Sequence, residues 1–87
     1  MMSTQELYTP INCDDYEHLE QACERHWILK LQLRDGEQFD AKAESLLMRK
    51  QVEYLLLSES GQTREVRLDK IDRFSHPELG TVVININ

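Results

Sequence analysis

The chain has 87 residues, 40% of them apolar and 30% charged, with a formal net charge of −6; this suits one small domain with a thin core and leaves no room for a cleft walled by two lobes. No apolar run approaches the roughly 20 residues needed to cross a bilayer, and Met1–Glu6 carries no positive charge ahead of an apolar stretch, so neither a membrane span nor a secretory signal is expected. Two cysteines, Cys13 and Cys23, without zinc or redox spacing, point to reduced thiols in a cytoplasmic protein.

The distribution of charge says more than its total. Residues 1–24 hold six acids (Glu6, Asp14, Asp15, Glu17, Glu20, Glu24) and no Lys or Arg, whereas residues 25–87 hold ten acids and ten bases. The whole imbalance therefore lies at the N-terminal end. A nucleic-acid binder usually shows a basic footprint; this chain shows the reverse, and a positively charged protein surface is the natural partner for it.

In chain order, residues 1–9 are polar and expected to be flexible. Tyr8-Thr9-Pro10-Ile11 reads as an extended entry, because proline disfavours helix at the residue before it. Asn12 is a suitable N-cap, and Asp14 and Asp15 then fall where the helix dipole favours negative charge. A helix is expected over residues 13–25. At about 100° per residue, Tyr16, Leu19, Ala22, Cys23 and His26 share one face, and Asp14, Glu17, Glu20, Gln21 and Glu24 the other.

The pattern then changes to period two. Trp27, Leu29, Leu31 and Leu33 alternate with Lys30, Gln32 and Arg34, as in a half-buried strand. Asp35-Gly36 signals a hairpin, and Gln38–Ala43 returns as a second strand. Glu44–Met48 has room for a turn of helix before a polar break at Met48-Arg49-Lys50-Gln51. Val52–Leu57, Thr63–Leu68, a segment through Ile71 and Phe74, and Thr81–Ile86 read as further strands. One helix followed by about five antiparallel strands predicts a mainly β domain spanning residues 1–87. A small Sm-like or SH3-like barrel over residues 27–86, capped by the helix, would remove exposed sheet edges.

Residues with chemical potential mostly have plainer uses. Asp14-Asp15 is a dipole-favoured first turn rather than a catalytic or metal-binding pair, since neighbouring helix positions diverge and no opposing group is near in sequence. Cys23 and His26, three apart, supply half a metal site at most. Ser75-His76 cannot form a nucleophile–base pair by adjacency alone, and the three glycines build no phosphate loop. Trp27 continues the inward series and is a core anchor before it is a stacking platform. No enzymatic activity, metal or cofactor is expected. The acidic helix face stands apart: Glu17, Glu20 and Glu24, spaced i, i+3, i+7 without intervening Lys, repel by a few tenths of a kcal/mol per pair. A positive partner would relieve that repulsion.

Pro10-Ile11-Asn12-Cys13-Asp14-Asp15-Tyr16, Asp35-Gly36-Glu37, Arg49-Lys50, Val52-Glu53-Tyr54-Leu55, Arg67-Leu68-Asp69-Lys70-Ile71 and Phe74-Ser75-His76-Pro77-Glu78 together resemble the Rof family, Rho-binding antiterminators of Gram-negative bacteria. The resemblance spans residues 8–83. It implies an Sm-like barrel and inhibition of the termination factor Rho, whose RNA-binding N-terminal domain holds single-stranded RNA in a positive, aromatic-lined groove. Carried over, the contact region comprises Asn12, Asp14, Asp15, Tyr16, Glu17, Glu20 and the loop Arg49, Lys50, Gln51. The expected partner is Rho, with no direct nucleic acid, no membrane, and a monomer when free. The alternative is an Sm-like module that acts directly on RNA.

Overall fold

The computed structural model describes residues 8–86. The flexible segment expected over residues 1–9 therefore lies, for residues 1–7, outside the described residues. Helix α1 runs Cys13–Arg25. Asn12 is extended, and its Oδ1 accepts the Asp14 N–H at 2.8 Å, a cap worth about 1 kcal/mol. The helix ends in a Schellman arrangement: His26 is left-handed at φ 53° and donates its N–H to Cys23 O, while Trp27 N–H reaches Ala22 O at 3.0 Å.

Six strands follow: β1 (Ile28–Leu33), β2 (Gln38–Arg49), β3 (Val52–Glu59), β4 (Gln62–Arg67), β5 (Ile71–His76) and β6 (Gly80–Val83), with a 3₁₀ turn at Leu68–Lys70 between β4 and β5. They form one antiparallel sheet in the order β4-β3-β2-β1-β5-β6. Leu29, Leu31 and Leu33 alternate inward as expected. They meet Ala41, Ala43, Leu55, Leu57, Val66, Ile71 and Phe74, and α1 lays Leu19 and Ala22 on this core, packing mainly over β2. Full burial of a side chain such as Leu19 stabilises by about 1.5–3 kcal/mol.

The expectation of a mainly β chain with one N-terminal helix agrees with the structure, but the expectation of a closed barrel does not. The sheet is open, with β4 and β6 as its two edges. Closure would require the last strand to meet β4. Instead the chain follows β5 only as far as Ile84, whose N–H reaches Asp72 O at 2.9 Å, and then turns to the helix entry. There Ile86 bridges Ile11, and Asn12 donates its N–H to Asn85 O at 2.8 Å. The backbone of residues 85–86 thus seats the helix entry and does not extend the sheet. At the other edge, Arg64 and Glu65 of β4 are engaged in ion pairs with Glu37 and Arg49.

One further expectation changes. Glu44–Met48 is not a turn of helix, because β2 continues to Arg49 through a register shift between Ala43 and Ser45. This bulge carries the extra residue Glu44, to which Ser58 Oγ donates a hydrogen bond. The connection to β3 is consequently only Lys50-Gln51. Trp27 is half-buried at the helix–sheet junction, its ring stacked on His76 with centroids 4.0 Å apart.

Candidate functional site: an acidic helix face and its groove

Along α1, Asp14, Glu17, Glu20 and Glu24 are exposed. None of their carboxylates forms an ion pair among the described residues. The strip of negative charge read from the helical wheel thus stands open to solvent. Asp15 does not share it. It is buried, with 7% of its surface exposed, and its Oδ2 accepts the Asn85 N–H at 2.8 Å. Asn12 is half-buried and gives its side-chain oxygen to the helix cap.

Tyr16 sits at the border of the two faces. Its ring packs against the core and also lines a groove of 390 Å³ with Pro10, Ile11, Cys13, Glu17, Glu20 and Glu53. Burial, followed by the charges of Glu53 and Glu20, pushes its phenol above the ordinary tyrosine value. Glu53, on β3, did not emerge as a candidate from the sequence, although it is the lone acid within the apolar run Val52–Leu57. Tyr8 holds it: the Tyr8 hydroxyl donates to Glu53 Oε1 at 2.8 Å. Burial and this acceptor raise the Tyr8 phenol strongly, so it remains a donor. The Arg67 guanidinium lies over the Tyr8 ring, and Thr9 N–H points to Asp69 Oδ2 at 3.4 Å. The helix entry is fastened on both sides.

Of the basic loop, Arg49 is already engaged: it pairs with Glu65 and lies 4.7 Å over the Tyr54 ring. Lys50 and Gln51 are exposed, and both are left-handed, at φ 51° and 67°. That is the signature of a tight two-residue hairpin turn, normally made with Asn and Gly. Lys50 enters no ion pair among the described residues.

The chemical candidates resolve into structural roles. Cys23 is half-buried, and burial, aided by Glu44 and Glu20, pushes its thiol up to about 11. His26 Nδ1 lies 3.6 Å from Glu44 Oε1. No group of His, Cys, Asp or Glu among the described residues is arranged to hold a metal ion. His76 Nδ1 accepts the Glu78 N–H, with its ring against Trp27. A larger groove of 610 Å³ lies between the β1–β2 turn and β4, floored by Leu33 and Val66. Arg64 and Glu37 span it in a two-bonded ion pair of 2.7 and 2.8 Å, and Arg34 and Arg67 are held by Asp72 and Asp69. The three arginines that line it are therefore all paired with carboxylates. No helix of the described residues is long and apolar enough to cross a membrane.

Residues 10–84 match the family described as "Modulator of Rho-dependent transcription termination (ROF)". The chain belongs to the Rof family. It is 59% identical over 80 residues to Protein rof of Escherichia coli strain K12, covering 92% of this chain and 95% of that one. The same values hold for Protein rof of Shigella flexneri. Among solved structures it is similar to YaeO bound to magnesium from Vibrio cholerae O395, with a TM-score of 0.67 and 21% identity over 76% of this chain and 92% of that one. The latter likeness is one of fold.

Proposed function

We propose that this Rof-family chain is a non-enzymatic, cytoplasmic regulator that binds the RNA-binding N-terminal domain of Rho, excludes RNA from it and so reduces Rho-dependent termination. The supporting observation is the open strip Asp14, Glu17, Glu20 and Glu24, which runs beside the Tyr16/Glu53 groove and has no cation partner among the described residues. A groove that holds single-stranded RNA is positive and lined by stacking side chains. Carboxylates held on a helix, with a tyrosine at their margin, offer such a groove a competing ligand. Asn12 caps the helix that carries this strip and Asp15 ties its entry to Asn85, while Arg49, Lys50 and Gln51 belong to the hairpin whose strand β3 brings Glu53 to the groove.

Family membership supports Rho as the partner, and the charge of the helix, unpaired among the described residues, supports its exposed face as the contact. Complementary charge chiefly speeds association and selects the partner, so affinity falls with added salt. The test is a competition experiment in which Rho, labelled single-stranded RNA and increasing amounts of this chain are mixed. The wild type should displace RNA, and Glu17→Lys/Glu20→Lys should fail to do so while remaining folded. Undiminished displacement by that variant would show that the helix face is not the contact. Direct binding of RNA by the chain alone would favour the RNA-module reading.

A further inference from the structure

The tip of the β2–β3 hairpin presents Met48, the most exposed large apolar side chain among the described residues, at 64%. A single exposed apolar residue is ordinary; its location is what distinguishes this one. Met48 is the direct cross-strand partner of Glu53. Opposed residues of an antiparallel pair project from the same face, so Met48 shares a face with the carboxylate that lines the helix groove. Arg49, one residue on, alternates to the opposite face, where it is held by Glu65 and Tyr54. The tip is also held firmly: Arg49 pairs with Val52 across the Lys50-Gln51 turn. A hairpin closed by two residues has little freedom to fold its methionine back onto the core.

We propose that Met48 is an apolar contact of the same interface, packing on an aromatic or aliphatic side chain next to the basic groups that face Glu17, Glu20 and Glu53. The proposal rests on the reading that this chain docks on Rho's RNA-binding domain. It adds a second kind of recognition to it. Carboxylates alone would suit many basic surfaces, whereas a thioether side chain beside them selects one in which cations and ring faces alternate, as in grooves that hold single-stranded nucleic acid. Charge then sets the rate of encounter, and Met48 contributes affinity that salt does not screen.

The experiment is a salt series of Rho-binding isotherms for the wild type, Met48→Ser, Met48→Leu and Glu17→Gln/Glu20→Gln. Burying a methionine side chain corresponds to about a tenfold affinity difference or more. Met48→Ser should therefore weaken binding by about tenfold at every salt concentration and leave the slope of log affinity against log salt unchanged. Met48→Leu should restore most of the loss. The glutamine pair should flatten the slope. Because Met48 is exposed, its variants should unfold at the wild-type midpoint. Wild-type affinity in Met48→Ser overturns the inference and leaves the Rho reading standing, as does a change confined to the salt slope. Failure of the wild type to bind Rho overturns both.

Discussion

Asp14 and Asp15 are adjacent acids of one helical turn, and substituting each to alanine should have opposite consequences. Asp15 is buried and accepts the Asn85 N–H at 2.8 Å, linking positions 70 residues apart. A hydrogen bond to a charged group contributes about 1.5–3 kcal/mol. Asn85 is itself exposed, so its freed N–H can turn to water, which favours the lower part of that range. Asp15→Ala should cost about 2 kcal/mol. For a domain of this size each kcal/mol shifts the melting midpoint by about 4–8 °C, so a fall on the order of 10 °C is expected. Asp15→Asn keeps an acceptor oxygen and should recover part of the loss. Asp14→Ala, exposed, should stay within about 0.5 kcal/mol of the wild type and weaken Rho binding instead. Urea titrations followed by circular dichroism give the stabilities, with an unchanged m-value as the control for a common unfolded state. If Asp15→Ala unfolds at the wild-type urea concentration, the link between helix entry and chain end is not what seats α1.

The left-handed Gln51 costs about 1–2 kcal/mol in a non-glycine residue. Gln51→Gly should therefore raise the denaturation midpoint, and a drop would mean that the side chain itself stabilises the turn. Glu37 and Glu65 are held below the usual glutamate value by hydrogen bonds from Arg64 and Arg49. A lowered folded-state pKa contributes stability that is present above the unfolded value and is lost as pH falls through the folded one. Glu37→Gln should thus flatten the acid limb of the stability–pH curve slightly, and less at high salt, because both carboxylates are exposed. With its thiol pushed up to about 11 and half-buried, Cys23 should react slowly with iodoacetamide at pH 8. Peptide mapping should find the label first on exposed Cys13; equal labelling would show that the helix opens readily.

The helix was legible because each of its signals is local: the Asn12 cap, acids in the first turn, and apolar residues recurring on one face. Its acidic strip followed from the same periodicity. Asp15 was not separable from Asp14, since its burial depends on Asn85 arriving from the far end of the chain. Glu53 escaped for the same reason: it joins the groove only once β3 lies beside the helix entry. Strand β2 read as shorter than it is because the bulge at Glu44 resets the alternation and resembles a break. Barrel or open sheet could not be decided from side-chain pattern at all. Either arrangement buries Leu29, Leu31, Leu55 and Leu57; the choice was made by backbone bonds between residues 11–12 and 85–86, which period-two patterning does not encode.

The charge asymmetry of the sequence acquires a spatial meaning in the fold. Over residues 25–87 acids and bases balance, and the sheet and its turns largely neutralise themselves: Arg34 with Asp72, Arg49 with Glu65, Arg64 with Glu37, and Arg67 with Asp69. Each of these long cationic side chains is directed to an acid of the sheet or its turns. The helix carboxylates Asp14, Glu17, Glu20 and Glu24 are left as a surplus with no ion-pair partner among the described residues. Their mutual repulsion weakens an isolated helix, yet α1 is retained because Asn12, Asp15 and Ile11 fasten its entry and Leu19 and Ala22 bury its inner face. Neutralising the strip should accordingly stabilise the free protein while weakening its complex. Glu17→Gln/Glu20→Gln should melt no lower than the wild type, and should bind Rho less well and with less dependence on salt. A variant that lost stability and binding together would place those glutamates in the fold and not in recognition.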